Sequence, residues 1–459
     1  MNPSRLVALW AVLAACSSAA HSGSPTTLAD GGSEARAGVD APVCTAGDVW
    51  CGGLCVQESV AACGVDCNVC GQPAASHGMA DCTDGQCAHA CQGGYTPCGR
   101  SGCCGAATDG DMLAVAVGGS TSCGITVAGA VSCWGDGSYG TLGNGAVQVN
   151  STTPVGVNGL GSQAASLSVG DRHACAVTTG GTLSCWGDDQ EGQLGDGGRT
   201  PRSDPVSPFG LVAVVARVAA GATHTCAVTT TGAAKCWGDN SYGQLGNGTT
   251  SASLTPSDVQ GLAAGVVAIA AGRGFTCALE TAGNVKCWGD GGTGQLGGQA
   301  SSSKPVDIAL GSTAKAVAAG ARHACALTTA GALLCWGADD VNQLGDGGSV
   351  TPRTRPVQVP GAGAFGSVSA GGDETCAVDQ AGAVRCWGAD PVGDVGPGPA
   401  GPAVVPSLKG GVASVAVVAG HACAVMLGGA PKCWGANATG QLGDGTTIDS
   451  WVPVDVEGI

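Results

Sequence analysis

Paired cysteines are the residues whose type and spacing most clearly define a chemistry in this chain, namely disulfide formation. In each pair the cysteines are ten positions apart, and a glycine stands six residues after the first, as Gly232 follows Cys226. If Thr230–Gly232 forms a three-residue hairpin loop, Cys226 lies opposite Cys236 on one face of two antiparallel strands. Directly opposed residues are close enough for a disulfide. The pairs are Cys123 with Cys133, Cys175 with Cys185, Cys226 with Cys236, Cys277 with Cys287, Cys325 with Cys335, Cys376 with Cys386, and Cys423 with Cys433. We expect them to be structural, because a redox motif would not be repeated identically in seven units.

Histidines two positions before the first cysteine of a pair could indicate a metal site. They are His173, His224, His323 and His421, and the other units have Thr121, Phe275 and Glu374 there. Equivalent positions in a repeat array are a whole unit apart, whereas a metal needs ligands within about 2.1 Å of one ion. We therefore expect structural, hydrogen-bonded histidines, and we predict no metal and no cofactor.

Glycine-rich G-Q-L-G-[DN]-G segments resemble phosphate-binding loops. Such a loop needs a helix N-terminus after it, and here a proline-led strand follows. We therefore interpret these segments as turns. The acidic or amide position within them is first a turn former and second a calcium ligand, and its residues are Asp196, Asn247, Asp346 and Asp444.

Arginines in the variable loops after these turns are the candidate binding residues. Arg199, Arg202, Arg353 and Arg355 fall in units two and five, where we expect equivalent places on a rim. Exposed loops on a rigid scaffold often carry function, and arginine is enriched in binding hot spots. The alternative is solvated loop charge. No Ser–His–Asp, Cys–His or paired-carboxylate arrangement can be assembled, so we predict no catalytic residues.

These residues belong to a unit that occurs seven times. Trp-Gly follows each second cysteine, successive tryptophans are 47 to 52 residues apart, and a G-x-L-G element or a variant of it follows. Each unit contains an Ala/Val strand, the cysteine hairpin and a proline-led strand. This period predicts an all-β, seven-bladed β-propeller over residues 111–459, with the small Ala/Val strands innermost. The last strand, Trp451–Val456, either completes the last blade or crosses to the first.

The pattern V-A-A-G-x-x-H-x-C-A-V followed by W-G-x-N-x-x-G-Q-L-G, as in Val218–Gly246, resembles the regulator of chromosome condensation repeat. The resemblance covers about three quarters of the chain and implies a seven-bladed propeller. Members of that family include nucleotide exchange factors for a small nuclear GTPase and a secreted bacterial β-lactamase inhibitory protein. This chain departs from the family by its paired cysteines and by nearly uniform units, which leave no long wedge-type insertion. Exchange activity is therefore implied only by the resemblance.

The N-terminal residues predict export. Residues 1–15 form a signal with an apolar run, Leu6–Ala15, that is too short to span a bilayer. The sequence before Cys16 resembles a lipobox, which implies lipid on Cys16. A plain secretory signal is the alternative. Residues 16–42 are rich in Ser, Gly, Ala and Thr and predict a flexible tether.

Twelve cysteines lie in residues 43–105. A module of this size cannot bury enough apolar surface and needs covalent cross-links, so six disulfides of unassigned connectivity are expected there. The spacing of Cys67 and Cys70 also fits a zinc module. Fourteen of the other cysteines are in the repeats, which leaves Cys16 alone among 27. Even counts within each block indicate an oxidising compartment.

The charge and the motifs together favour a binding protein. The formal net charge is −16, which argues against nucleic acid as a partner. We predict a monomeric, non-catalytic lipoprotein of the bacterial cell envelope, on the outer surface or in the periplasm. Its propeller would bind an extracellular protein or glycan, and the lipid would be its sole membrane contact. The alternatives are a secreted enzyme inhibitor, a polysaccharide-acting enzyme and a nucleotide exchange factor.

Overall fold

Short β-strands make up nearly all of the regular structure in the computed structural model of the protein. The structure describes residues 48–51, 54–57, 78–83, 86–91, 95–98, 102–105, 111–161, 163–348, 350–361, 363–389 and 401–459. The helical element within these ranges is a single 3-10 turn, Ser138–Gly140.

Six strands within the predicted cysteine-rich segment pair into three antiparallel hairpins. They are β1 (Asp48–Cys51) with β2 (Leu54–Gln57), β3 (Gly78–Thr83) with β4 (Gln86–Cys91), and β5 (Tyr95–Cys98) with β6 (Gly102–Gly105). The signal, Cys16 and the tether lie outside the described residues. The expected disulfides of this segment stay a prediction.

Seven four-stranded antiparallel sheets form the blades, and each sheet takes its strands in sequence order. We call the strands of a blade inner, second, third and outer. Blade 1 contains β7–β10 (Met112–Gly118, Thr121–Thr126, Val131–Gly135, Ser151–Gly156), blade 2 β11–β14 (Ala164–Val169, His173–Thr178, Leu183–Gly187, Arg202–Val206), blade 3 β15–β18 (Val215–Ala220, His224–Thr229, Ala234–Gly238, Ser253–Asp258) and blade 4 β19–β22 (Val266–Ala271, Phe275–Glu280, Val285–Gly289, Ser302–Ile308). Blade 5 contains β23–β26 (Ala314–Ala319, His323–Thr328, Leu333–Gly337, Arg353–Gln358), blade 6 β27–β30 (Phe365–Gly371, Glu374–Asp379, Val384–Gly388, Ala403–Val404) and blade 7 β31–β34 (Val412–Val418, His421–Met426, Pro431–Gly435, Ser450–Asp455). The predicted seven-bladed, all-β architecture is confirmed.

The cysteine hairpin has the predicted register. Cys226 pairs with Cys236 across the second and third strands, and the same pairing occurs in every blade. Each pair is joined by a disulfide with its Cα atoms 4.0 to 4.1 Å apart. From blade 1 to blade 7 the bridges join Cys123 to Cys133, Cys175 to Cys185, Cys226 to Cys236, Cys277 to Cys287, Cys325 to Cys335, Cys376 to Cys386, and Cys423 to Cys433. All fourteen cysteines are fully buried, so every staple lies inside one blade and within its core.

The outer strands differ from the prediction in where they begin. The expected proline-led strand Thr255–Val259 is observed as Ser253–Asp258, so Pro256 lies inside the strand. The ladder to the third strand shifts register between Ser253 and Ser257. Proline lacks the N–H donor of a regular ladder and is tolerated at such an irregularity on an edge strand.

The hydrophobic core is divided among the contacts between neighbouring blades. In the first of these clusters the disulfide, Ile125 and Leu142 of blade 1 pack against Ala174 and Trp186 of blade 2. The other clusters likewise contain a disulfide from one blade and the tryptophan of the next. Each blade therefore needs its neighbours to bury its apolar surface, as in other repeat folds.

The final strand completes the last blade. Ser450–Asp455 pairs with Pro431–Gly435, which decides between the two alternatives for the C-terminus. Blade 7 then meets blade 1 through contacts of the kind that join the other blades. The Met112 N–H donates to the Gly429 carbonyl at 2.8 Å, and the Gly445 N–H donates to the Thr152 carbonyl at 3.0 Å. The ring is closed by these contacts without exchange of a strand.

Candidate functional site

Main-chain carbonyls of the G-Q-L-G turns and their variant in blade 1 bond to the next blade at six junctions of the described residues. The Trp237 indole N–H donates to the Gln193 carbonyl at 2.9 Å, across the junction of blades 2 and 3. Five other tryptophans do the same, with Thr141 replacing glutamine in blade 1. The glycine that ends the turn has to be small: a Cβ on Gly195 would lie 2.6 Å from the indole nitrogen of Trp237. The W-G and G-x-L-G motifs are therefore two halves of one contact between blades.

Four histidines complete this contact, and we call the resulting arrangement a clasp. His173 Nε2 lies 2.8 Å from the Thr225 hydroxyl, which donates to the Gln193 carbonyl at 2.7 Å. His224 with Thr276, His323 with Thr375 and His421 with Ser122 repeat the arrangement at 2.8 to 2.9 Å. The last of these crosses the closure between blades 7 and 1. These histidines have the structural, hydrogen-bonded role that the sequence predicts.

Clasp formation follows a sequence rule that spans two blades. Where a blade has histidine in this slot, the next blade has a hydroxyl residue just before its first cysteine: Thr225, Thr276, Thr375 and Ser122. Where the slot holds Thr121, Phe275 or Glu374, the next blade has alanine: Ala174, Ala324 and Ala422. The rule holds at all seven junctions. It was visible in the sequence but was missed, because the two positions are about fifty residues apart and share no local motif.

The clasp fixes the protonation state of its histidines. The hydroxyl gives its proton to the glutamine carbonyl, so the histidine Nε2 must be the donor, and Nδ1 carries a lone pair. The Nδ1 atoms of His173, His224 and His323 are buried without a partner in the described residues. Burial lowers the pKa of His173 to about 3 and the pKa values of His224, His323 and His421 to about 4. All four are neutral at pH 7.

A glycine at the end of the inner strand makes room for the imidazole. A Cβ on Gly221 would lie 2.6 Å from the Cε1 atom of His224, and a Cβ on Gly170 would lie 2.8 Å from the same atom of His173. This explains why the strand motif ends A-A-G before the histidine.

The rim arginines are partly equivalent and mostly bound to acids of their own loops. Arg202 and Arg353 both begin an outer strand, opposite Gly187 and Gly337. Arg202 donates to the Asp196 carboxylate at 2.8 Å, and Arg353 donates to that of Asp346 at 2.7 Å. The predicted equivalence is correct for this pair alone.

The other two rim arginines occupy different places. Arg199 donates to the Gln190 carbonyl and lies 3.5 Å from the Glu191 carboxylate. Arg355 is exposed two residues into its outer strand. Asp196 and Asp346, the turn formers of these loops, are held by arginine rather than being open to a cation. Within the described ranges no three His, Cys, Asp or Glu side chains form a group that could hold a metal.

The central channel opens at a mouth formed by the turns between the inner and second strands. Residues from all seven blades line a cavity of about 650 Å³ there. Most of them are small, as in Ala220–Ala222 and Ala319–Ala321, so main-chain groups form much of the wall. The loops between third and outer strands leave from the same ends of the sheets, because His224 pairs with Gly238. The turns and these loops together form the mouth face.

Charged side chains of both signs converge on the cavity. Asp136, Asp171, Arg172, Arg273 and Asp373 line it, and they come from four blades. Asp171 is exposed to the channel, but partial desolvation by the cavity wall raises its pKa. The positive charges of Arg273 and Arg172 oppose this rise. Asp373 is paired at 3.1 Å with Arg322, which also binds Asp340.

Two arginines at the mouth have no acidic partner. Among the described residues no carboxylate lies within ion-pair distance of Arg172 or Arg273. The Arg172 guanidinium carbon lies 5.2 Å from the centre of the Tyr139 ring. Tyr242 packs beside Gly274, next to Arg273, and its side chain is 54% exposed. The sequence did not indicate these residues, because the turns that carry them differ from blade to blade.

The opposite face carries a smaller, apolar surface. The connection 207–214 between blades 2 and 3 meets the hairpin loop at Gly181 and leaves a cavity of about 200 Å³. Phe209 is 71% exposed and Val212 is 99% exposed in this connection. In the part of the chain that the structure describes, no helix is long and apolar enough to cross a membrane.

These features define the class of the protein: a disulfide-stapled, seven-bladed β-propeller with a charged channel mouth. Comparison with protein families then gives the family. The regulator of chromosome condensation (RCC1) repeat matches residues 128–177, 181–228, 235–279, 282–327, 330–378 and 433–459. A second description of the same repeat matches 164–193, 215–244, 266–295 and 314–343. The chain belongs to the RCC1 repeat family, as its motifs predict.

Curated relatives share part of the propeller. The E3 ubiquitin-protein ligase HERC2 of Homo sapiens is 33% identical over 219 residues, which are 47% of this chain and 4% of that protein. The mitochondrial RCC1 domain-containing protein RUG3 of Arabidopsis thaliana is 33% identical over 209 residues, 44% of this chain and 47% of that protein. The chain therefore spans less than half the length of these relatives.

Solved structures show the same fold. Human WBSCR16 superimposes with a TM-score of 0.65 at 24% identity, covering 72% of this chain and 94% of that one. Prp20p of Saccharomyces cerevisiae gives 0.66 at 23% identity over 73% and 87%. A structure of yeast RCC1 (Prp20) bound to Kap60 gives 0.63 at 23% identity over 71% and 83%.

Proposed function

We propose that this chain is a non-catalytic extracellular scaffold whose mouth face binds a protein partner. One observation carries the proposal: the junctions between blades bond most of their polar groups internally, whereas the mouth presents two arginines without an acidic partner in the described ranges. Arg172 and Arg273 flank Asp171 on the wall of a cavity of about 650 Å³. Arginines held on a rigid scaffold without an ion pair are the kind of residue that dominates protein interfaces.

The mixed charge of the mouth favours a protein over a polyanion. Asp136, Asp171 and Asp373 accompany the two arginines, so a nucleic acid or a uniformly acidic glycan would meet repulsion there. A protein segment with side chains of both signs can place a carboxylate against Arg172 and Arg273 and a cation against Asp171. A protein of the same fold has been solved with a protein partner, since yeast RCC1 (Prp20) has been solved bound to Kap60.

The extracellular location is part of the proposal. Seven buried disulfides are typical of an oxidising compartment. The lipobox-like sequence before Cys16 supports attachment to the cell envelope through lipid, and Cys16 itself lies outside the described residues.

Charge reversal at the mouth tests the proposal. The full chain and its R172E/R273E variant would be used to capture partners from the envelope and culture medium of the producing cells. K304E/K315E is the control, because it makes the same change in net charge at two exposed lysines outside the cavity lining. We expect the mouth variant to bind the captured partner at least about tenfold more weakly and the control to bind normally.

Two further treatments make the result specific. Proteolysis of the cell fraction beforehand should abolish capture, whereas periodate oxidation of glycans should not. Equal binding by R172E/R273E and the wild type would contradict the proposal. So would loss of binding only in F209S/V212S, which would place the contact on the apolar opposite face.

A further inference from the structure

The slot three residues after the repeated tryptophan is occupied by asparagine in two blades and by aspartate in three, of which Asp189 and Asp339 belong to the described residues. Asn240 and Asn437 occupy it in blades 3 and 7, and both are fully buried. Asp189 and Asp339 occupy it in blades 2 and 5, and their side chains are 0% and 1% exposed. The four copies provide a comparison of amide and carboxyl in the same local fold.

The asparagine copies show what the slot requires. Asn240 Oδ1 accepts the Leu245 N–H at 3.0 Å, so its orientation is fixed and Nδ2 is the other atom. That Nδ2 donates to the carbonyls of Thr249 and Ser251 at 3.0 and 2.9 Å. In blade 7, Asn437 Nδ2 donates to two loop carbonyls and to the Asp444 carboxylate at 3.1 Å. The residue in the slot therefore accepts a hydrogen bond through one terminal atom and must donate hydrogen bonds through the other.

The aspartate copies keep the accepting half of this arrangement. Asp189 Oδ1 accepts the Leu194 N–H at 2.9 Å, and Asp339 Oδ1 accepts the Leu344 N–H at 3.1 Å. Their Oδ2 atoms, which take the place of the asparagine Nδ2, are buried and have no hydrogen-bond donor among the described residues. An ionised oxygen buried at this place without a donor would be uncompensated.

We propose that Asp189 and Asp339 each carry a proton on Oδ2 in the folded protein and donate it where the asparagines donate. The neutral acid then closes the loop as an amide does. A calcium ion fits less well, because no three His, Cys, Asp or Glu side chains among the described residues form a group that could hold it. The next carboxylate is also engaged: Asp196 accepts the Gly198 N–H and Arg202, and Asp346 accepts the Gly348 N–H and Arg353.

The charge balance of each loop supports a single proton. In the two aspartate blades whose slot is described, Arg202 and Arg353 begin the outer strand, and Ser253 and Ser450 stand at that register in the asparagine blades. In blade 2 the charged groups facing the slot are Asp196 and Arg202, and in blade 5 they are Asp346, Arg353 and Asp340. One arginine neutralises one carboxylate, so the buried one is balanced when it is protonated.

The shifts in pKa of the two aspartates also favour the protonated form. Burial, reinforced by Asp196, raises the pKa of Asp189 to about 7, and burial, reinforced by Asp346, raises that of Asp339 to about 6. Because these values lie above that of an unfolded aspartate, the stability from this group is complete at acidic pH. It is lost as pH rises through about 6 in blade 5 and about 7 in blade 2. The outer loops carrying Arg199 and Arg202 therefore loosen above neutral pH.

Exchange of the slot residues tests the inference in the full chain. D189N/D339N should melt at the wild-type temperature near pH 5 and a few degrees above it near pH 8.5, because the amide cannot lose its donor. The converse variant N240D/N437D should acquire the pH dependence in blades 3 and 7. The infrared difference spectrum of the wild type minus D189N/D339N near pH 5 should contain a carboxylic-acid C=O band.

Three results would overturn the inference. The first is a difference in melting temperature between D189N/D339N and the wild type that is the same at both pH values. The second is absence of the carboxylic-acid band. The third is stabilisation of the wild type, but not of D189N/D339N, by calcium near pH 8.5, which would show that a metal cation and not a proton fills the slot.

Discussion

The junctions between blades and the mouth of the channel use polar side chains in opposite ways. At the junctions, His173 Nε2, the Thr225 hydroxyl and the Trp237 indole are bonded across the boundary around the Gln193 carbonyl. At the mouth, Arg172 and Arg273 have no acidic partner in the described part of the chain. The difference shows which polar groups maintain the fold and which are available to another molecule. Variants at the two regions should therefore have separable effects.

Reduction of the disulfides should give the largest effect, because it removes the frame shared by both regions. Each bridge closes a loop of about ten residues, and the chain-entropy estimate is roughly 2.5–3 kcal/mol per bridge. We expect strong denaturant plus reductant to yield a chain that cannot refold until it is reoxidised. Circular dichroism before and after reoxidation measures this. A reduced chain that refolds with its mouth intact would show that the staples are dispensable.

Acidification should give the next largest effect, and it acts mainly on the clasp histidines at the junctions. The clasp histidines have folded pKa values of about 3 to 4, below the ordinary value of 6.5. The unfolded chain therefore binds up to four more protons, and stability present above pH 6.5 is lost as pH falls to about 4. At about 1.4 kcal/mol per pKa unit, the loss by pH 4 is roughly 3 kcal/mol for each histidine. Asp189 and Asp339 oppose part of it.

Replacing one clasp histidine and its hydroxyl partner together by alanine measures this contribution. In the double variant H224A/T276A, the unfolding free energy determined with denaturant at pH 7 and at pH 5 should fall less steeply with acid than that of the wild type. An unchanged slope would show that His224 is not titrating in this range.

Removal of a single hydroxyl should give an intermediate effect. In T225A, His173 Nε2 keeps a buried N–H without an acceptor, which costs about 1–3 kcal/mol. Denaturant unfolding compared with the wild type measures the cost, and partner binding at the mouth should not change. The matched control is A174S at the unclasped junction of blades 1 and 2, where no histidine faces the new hydroxyl. If T225A and A174S were equally destabilised, the clasp would have no specific role.

Charge reversal at the mouth should have the smallest effect on folding. R172E/R273E changes exposed side chains outside the clasps and removes one contact across a blade boundary, that of Arg172 with the Tyr139 ring. The unfolding free energy should therefore stay within about 1 kcal/mol of the wild type. The same variant should lose the partner. A large loss of stability would mean that these arginines support the ring, and the distinction between the two regions would disappear.

The sequence predicted the parts of the fold that depend on local spacing. Cys226 and Cys236 are placed opposite each other by a loop that ends in Gly232, so hairpin geometry alone determined their register. The starts of the outer strands were misplaced, because the prolines lie at bulges that only the ladder shows. The clasps join residues about fifty positions apart in neighbouring blades, and a search for motifs within one unit could not find them.

The candidate site was harder to predict for a physical reason. Arg202 and Arg353 were predicted to bind a partner because they are charges in variable loops. Whether an arginine is available to a partner, however, depends on the acids near it in space. Here Asp196 and Asp346 bind them. Arg172 and Arg273 lie in turns of different sequence. They line one cavity only because the ring brings these turns together around the channel.

Site-specific photo-crosslinking is the most direct test of the central claim that the mouth is the contact surface. A photoreactive residue would replace Ser120 at the mouth, Ser301 at the rim or Val212 on the opposite face, each in the full chain. After exposure to the envelope and medium of the producing cells, we predict protein crosslinks from position 120 and none from position 212. Crosslinks from position 212 with none from position 120 would contradict the account.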